Sequence, residues 1–317
     1  MKIVLIESLS VPDKVISDFG DELSAMGHEF CSYKERTSDL EEFAARVKGA
    51  DIVIEGNWPL TAEMIDTFDS CRYLCVAFSG IDHVDRDAVT RKGITVSNCA
   101  GYADDSVAEL ALTMMISLLR NVKKVDELAR EGKTKDGYVG NELRGKTVGI
   151  VGMGAIGKRL ARILSVFDVN VIFYAPRVRP EALELGKSVS LDELLEKSDI
   201  VSLHCPLNDE TRGLIGREAI SRMKDGAILI NTARGPVVDY EALAEALESG
   251  KIRGAGIDVY EKEPPLPQDH VLFGYENVIT TPHVAFATAE SMVKRANIAF
   301  DNVMSYLRGE PKNVKIG

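Results

Sequence analysis

Cysteine is scarce in this chain, positive charge is in deficit and long hydrophobic runs are missing. Each shortage closes off a class of protein. The five cysteines, Cys31, Cys71, Cys75, Cys99 and Cys205, are scattered, odd in number and without a Cys-x-x-Cys pair. A disulfide framework is a poor account of such a chain, and a reducing cytoplasm fits better. No metal site is read from the sequence. Lys and Arg number 38 against 49 Asp and Glu, giving a formal net charge of -11 and a pI near 5.1. A nucleic-acid polyanion is therefore a poor partner, although an acidic surface is also ordinary for a soluble enzyme. After Lys2 only a short apolar run precedes Glu7, too little for a signal peptide. The most apolar long stretch, Leu110 to Leu119, is interrupted by Thr113 and Ser117. It falls short of a membrane span and reads as a buried helix.

What is present is an alternation of strand and helix signals over 317 residues, enough for two domains. Short apolar runs at Ile3 to Ile6, Phe30 to Tyr33, Asp51 to Ile54, Tyr73 to Phe78 and Thr95 to Ser97 read as strands with helices between them. That pattern predicts a parallel sheet covered on both faces. A long helix from Asp104 to Arg120 follows, opened by Asp104, Asp105 and Ser106 as capping residues. The polar stretch from Asn121 to Asn141 reads as an arm or exposed connection. A second alternation begins at Thr147, and a last helix, about Ala287 to Arg308, comes after it. The expectation is an α/β protein with two doubly wound parallel-sheet domains. One is discontinuous, residues 1–100 with 285–317, and the other spans 101–284.

Gly152-Met153-Gly154-Ala155-Ile156-Gly157 follows the strand Val148 to Val151 and opens a helix. In that setting G-x-G-x-x-G reads as a dinucleotide loop. The first glycine permits the tight turn, the second lets a pyrophosphate approach, and the third lets helix and strand pack closely. The phosphates then meet free N–H groups at the positive end of the helix dipole. An acid is expected at the end of the next strand to bind the ribose hydroxyls of NAD. Here Ala175 stands in that place, and Arg177 and Arg179 follow. Without the carboxylate a 2′-phosphate is not repelled, and arginine can pair with it. The cofactor expected is NADP(H) or NAD(H), with NADP(H) favoured. The bland alternative is that both arginines are solvated loop charges.

Further along, Asn231-Thr232-Ala233-Arg234-Gly235 is followed by Asp258, Glu263 and Pro282-His283. A fixed cation, carboxylates and a titratable imidazole downstream of a nucleotide loop suit hydride transfer to a 2-keto acid. The cation can hold a carboxylate and polarise a ketone, and the imidazole can supply the proton.

These motifs occur with Ser79-Gly80-Ile81-Asp82, Val84-Asp85, Ser106-Val107-Ala108-Glu109, Gly256-Ile257-Asp258-Val259 and Glu263-Pro264. Over nearly its whole length the chain resembles the D-isomer-specific 2-hydroxyacid dehydrogenase family. That family includes glyoxylate/hydroxypyruvate reductases, phosphoglycerate dehydrogenases and D-lactate dehydrogenases. The resemblance implies a Rossmann cofactor domain and a flavodoxin-like substrate domain with the active site in the cleft.

It also implies roles. Arg234 would grip the substrate carboxylate and stabilise charge growing on the carbonyl oxygen. His283 would be the general acid/base, and Glu263 the carboxylate that favours its protonated form. Asp258 would lie near the nicotinamide carboxamide. The backbone N–H groups at Ser79 and Gly80 would bind the substrate carboxylate. Pro206, Thr211, Thr232 and Ala233 would border the adenosine and nicotinamide. Asn57, Trp58, Phe78, Tyr102 and Phe286 are candidates for the pocket around the substrate's side chain, with core packing as the bland reading of each aromatic. A homodimer is implied, with the Asp104 to Arg120 helix and the polar arm at its interface.

Among the other histidines, His28 and His270 read as surface residues, His83 as a loop residue and His204 as near the adenine end of the nucleotide site. A cofactor-sensing binding protein of the corepressor type shares this fold and these residues. It is the rival reading. The family often has Asn-Thr-Pro-Gly where this chain has Asn98-Cys99-Ala100-Gly101, which puts the hinge and its closure in question.

Overall fold

The computed structural model describes every residue except 264, 265 and 267, so Pro264 of the Glu263-Pro264 motif lies outside the described residues. The chain divides into two compact units, residues 1–103 with 287–317 and residues 104–286.

The first unit holds strands β1 (Lys2–Leu5), β2 (Glu29–Ser32), β3 (Ile52–Glu55), β4 (Tyr73–Val76) and β5 (Thr95–Asn98). They run parallel in the order 2-1-3-4-5, the flavodoxin-like order. Every residue of β3 and β4 is buried, which is why these strands read as continuous apolar runs. Asp39, Thr61 and Asp85 each accept a backbone N–H at the start of the helix that follows them. The helix Ala289–Leu307 belongs to this unit. Phe300 stacks on Phe19 at 3.9 Å, Tyr306 on Tyr73 at 4.1 Å, and buried Arg295 donates to the Leu9 carbonyl at 2.7 Å. Chain distant in sequence thus completes the first core.

The second unit holds β6 (Thr147–Val151), β7 (Asn170–Tyr174), β8 (Lys187–Ser188), β9 (Ile200–Leu203), β10 (Ala227–Asn231), β11 (Ile252–Ile257) and β12 (Val278–Thr280). All pair parallel, in the order 12-11-10-9-6-7-8. Renumbered from β6, this is the 3-2-1-4-5-6 Rossmann order with one strand added. The helix Asp104–Leu119 packs on this sheet through Ala108, Ala111, Met114, Met115 and Leu118. Two doubly wound α/β sheets are therefore present. A last strand, β13 (Val314–Ile316), pairs antiparallel with β5 in the first unit.

Within the polar stretch after the long helix, read as an arm or exposed connection, Val122–Arg130 is helical. None of its residues is buried, although Val122, Val125 and Leu128 recur at helical spacing. Ion pairs hold it instead: Asp126 with Arg130 at 2.8 Å, and Lys124 with Glu276 at 2.7 Å. Among the described residues no helix is long and apolar enough to cross a membrane.

Candidate functional site

The glycine loop forms one wall of a cavity of about 600 Å³ in the second unit, within the range of small-molecule sites. Gly152 has φ +98°, and a Cβ there would lie 2.6 Å from the Cys205 N atom. A Cβ on Gly157 would lie 2.2 Å from the Gly152 carbonyl oxygen. Around Gly154, by contrast, nothing lies within 4 Å of where a Cβ would stand. Two glycines are thus demanded by the protein's own packing, and the third leaves open space beside the N-terminus of the helix Ala155–Leu164. Ala155 lines the cavity, while Ile156 and Gly157 sit in the first helical turn and do not.

Ala175 and Arg177, just past β7, line a second side with Arg179, and Pro206 and Thr211 line a third. Thr211 is fixed by its hydroxyl, which donates to the Pro206 carbonyl at 2.6 Å. His204 lies between. Its Nε2 is 2.9 Å from Ser202 Oγ, and its buried Nδ1 has no partner among the described residues. Burial lowers its pKa to about 4, so the ring is neutral at ordinary pH. An open glycine cradle at a helix start, with an unsatisfied buried imidazole nitrogen beside it, fits a pyrophosphate-bearing dinucleotide. Thr232 and Ala233 do not line this cavity. They are buried just past β10, where Thr232 Oγ1 also lacks a partner among the described residues.

The second cluster gathers at the ends of β10, β11 and β12, the edge where ligands bind in such sheets. After β10, Asn231 donates from Nδ2 to the Arg234 carbonyl at 3.0 Å, which shapes the turn. Arg234, half-buried, donates from Nη1 to the Ala233 carbonyl at 2.8 Å. Gly235 has no room for a side chain, since a Cβ would fall 1.9 Å from the Tyr260 carbonyl oxygen.

After β11, Asp258 is wholly buried. Burial raises its carboxyl, and hydrogen bonds from the Thr281 hydroxyl and the Val284 and Ala285 N–H groups oppose that rise. Its carbonyl accepts from the His283 N–H at 2.7 Å. After β12, His283 takes φ +52°, an uncommon conformation for a residue with a side chain. Its Nδ1 lies 2.8 Å from Glu263 Oε2, and its ring meets Phe286 edge-on at 5.8 Å. Both partners keep some exposure, 25% for the His283 side chain and 18% for Glu263.

Arg234, Asp258, Glu263 and His283 thus belong to one unit and one sheet edge. Ser79, Gly80 and Asn57 belong to the first unit. The Ser79 carbonyl accepts from Asn98 Nδ2 at 2.5 Å, and Asn57 Oδ1 from Arg36 Nη2 at 2.5 Å. Trp58 packs edge-on against Phe43, and Phe78 meets Tyr102 at a tilt.

Sequence reasoning missed the acids beside them. Glu7 accepts the N–H groups of Gly56, Asn57 and Trp58 and pairs with Arg36 at 2.6 Å. Glu55 is fully buried and pairs with His83 Nε2 at 2.8 Å. The available signal was an acid ending each apolar run, at Glu7 and at Glu55. His270 is also corrected. It is not a surface residue, for its side chain is only 6% exposed and sits among Tyr240, Tyr260 and Phe273. Among the described residues, no cluster of three or more His, Cys, Asp or Glu could hold a metal ion.

A Rossmann-ordered sheet with a glycine cradle, and a carboxylate–imidazole pair at the same sheet edge, define a nicotinamide-nucleotide oxidoreductase class. The family description "D-isomer specific 2-hydroxyacid dehydrogenase, NAD binding domain" matches residues 112–285. The chain is 37% identical over 303 residues to the hydroxypyruvate reductase of Blautia hydrogenotrophica, covering 92% of this chain and 93% of that one. Among solved structures it is similar to an acyclic imino acid reductase in complex with NADPH and D-Arg, with a TM-score of 0.89, 31% identity and full coverage of both chains. It is also similar to the D-lactate dehydrogenase of Aquifex aeolicus complexed with NAD and lactic acid, with a TM-score of 0.86 and 29% identity over 100% of this chain and 99% of that one. The chain belongs to the D-isomer specific 2-hydroxyacid dehydrogenase family and is an oxidoreductase.

Proposed function

We propose that the protein is an NAD(P)-dependent D-2-hydroxyacid dehydrogenase working as a 2-keto acid reductase, with residues 104–286 as the cofactor domain and His283 as the general acid/base. The observation that carries this reading is the 2.8 Å contact between His283 Nδ1 and Glu263 Oε2. A carboxylate at Nδ1 orients the ring and leaves the transferable proton on Nε2.

When bound, the nicotinamide supplies the hydride for C2 of the keto acid. Gly152, Gly154 and Ala155 hold the pyrophosphate by backbone groups, and Thr232, Ala233 and Asp258 border the nicotinamide. Arg234 grips the substrate carboxylate and stabilises the alkoxide as it forms, and His283 Nε2 protonates it. In the oxidative direction the same nitrogen takes the proton back. The Ser79 and Gly80 backbone binds the substrate carboxylate, and Asn57 the rest of the substrate. NADP(H) is favoured over NAD(H), since Arg177 and Arg179 line the cavity beside Ala175, where a carboxylate would otherwise repel a 2′-phosphate. The chain works as a cytoplasmic homodimer. The helix Val122–Arg130, none of whose residues is buried, is offered as part of the interface.

The test is a panel of 2-keto acids of increasing size, each with NADPH and with NADH, followed by absorbance. Turnover of any member supports the reductase. Cofactor binding with no turnover across the panel supports a cofactor sensor on the same fold.

A further inference from the structure

We infer that Tyr260 and His270 are positioning residues for this reaction, holding the segments that carry Arg234, Glu263 and His283 in one register. The inference rests on the roles proposed above for Glu263 and His283.

Tyr260 is 2% exposed and meets all three segments. Its N–H donates to Glu263 Oε1 at 3.2 Å. Its hydroxyl donates to the Thr281 carbonyl at 3.2 Å, and that same carbonyl accepts the His283 N–H at 3.1 Å. Its own carbonyl oxygen is the atom against which Gly235, next to Arg234, is pressed. Burial pushes the Tyr260 phenol up to about 12, so the hydroxyl keeps its proton and stays a donor throughout the working range. One side chain therefore ties the carbonyl that anchors His283 to the residue that holds Glu263.

His270 fixes Tyr260 in turn. The two rings meet edge-on, with centroids 5.1 Å apart and planes at 84°. The opposite contact of His270 is Tyr240, at 5.4 Å and 72°. Such contacts are directional as well as apolar. Tyr240 donates its hydroxyl to the Val259 carbonyl at 2.7 Å and accepts from Asn231 Nδ2 at 2.9 Å, which reaches the Arg234 turn. His270 Nδ1 accepts the Leu272 N–H at 3.3 Å, so Nε2 carries a hydrogen toward Glu261 Oε2 at 3.1 Å. The ring is thereby fixed in both position and tautomer. Neither residue needs to touch the substrate. They act through the geometry of the Glu263–His283 pair, where small misplacements have large kinetic effects.

Two conservative variants test this. Tyr260→Phe keeps the ring and removes the hydroxyl, and His270→Phe keeps the packing and removes both hydrogen bonds. We expect each to lower kcat by about tenfold. A limb of the kcat pH profile should move, while cofactor affinity and melting temperature stay near those of the parent. In the double variant Tyr260→Phe/His283→Ala, turnover should be no lower than in His283→Ala alone. Parent kcat and an unmoved pH limb in both conservative variants, with His283→Ala inactive, would overturn the inference and leave the function standing. A fall in kcat that only tracks loss of folded protein, with the limb unmoved, overturns it too. Full turnover in His283→Ala would instead remove the acid/base role on which it rests.

Discussion

A carboxylate–imidazole pair at 2.8 Å lies in each unit of this protein, and these two differ instructively. Glu55 with His83 and Glu263 with His283 are both 2.8 Å contacts. Glu55, however, is fully buried, and burial raises its carboxyl above the ordinary range. It also accepts the Trp58 N–H, and His83 packs edge-on against Phe78. That pair braces loops. In the second unit both partners stay partly open, Arg234 lies on the same sheet edge, and His283 is held at positive φ by the Asp258 and Thr281 carbonyls. Contact distance alone does not make a proton donor. On the function proposed here, access for a substrate and a cation on the same sheet edge separate the reactive pair from the structural one.

Removing the two imidazoles separately tells the two pairs apart. We expect His283→Ala to lower kcat by about 10²–10⁴-fold, the range of general acid/base contributions, with cofactor affinity nearly unchanged. His83→Ala should mainly lower the melting temperature. A reversal of those effects in kinetic and melting assays would dissolve the distinction.

A smaller effect concerns the cofactor cavity. Arg177→Ala should raise KM for NADPH about tenfold and leave NADH alone, as loss of one arginine–phosphate pairing implies. Equal losses with both cofactors would remove the 2′-phosphate assignment.

Stability against pH sharpens the contrast further. The folded Glu55 carboxyl titrates above its unfolded value of 4.5, so its contribution to stability is present below 4.5 and is lost as pH rises through the folded value. Glu55→Gln should therefore melt at or above the parent temperature at pH 8, with the difference shrinking toward pH 4.5. A lower melting point at pH 8 that vanishes in acid would show that the ionised pair is stabilising. His204 behaves oppositely. Its folded value of about 4 lies below 6.5, so its contribution is full above 6.5 and is lost as pH falls toward 4. His204→Asn should flatten the melting-temperature slope in that window, the smallest effect expected here, and an unchanged slope would contradict it.

Legibility in the sequence followed the range of the interactions. The glycine turn was readable because strand, turn and helix are adjacent, and the positive φ of Gly152 and the contact of Gly157 with the Gly152 carbonyl are local constraints. The parallel sheets were readable because β3, β4 and their like are buried on both faces. The helix Val122–Arg130 was not, although Val122, Val125 and Leu128 recur at helical spacing, because its many charges made the stretch read as an exposed arm. Glu263 and His283 stand 20 residues apart and were paired only through the family resemblance. Glu55 and His83 had no motif to join them. His270 passed for a surface residue because Tyr240, Tyr260 and Phe273 reach it from separate points along the chain.

The role of His283 is tested in a single turnover. His283→Ala loaded with reduced cofactor is mixed with a 2-keto acid that the parent reduces, and cofactor oxidation is followed at neutral pH. We expect the cofactor to bind as in the parent and its oxidation to slow by at least about a hundredfold. Oxidation at the parent rate would contradict the assignment of the proton donor.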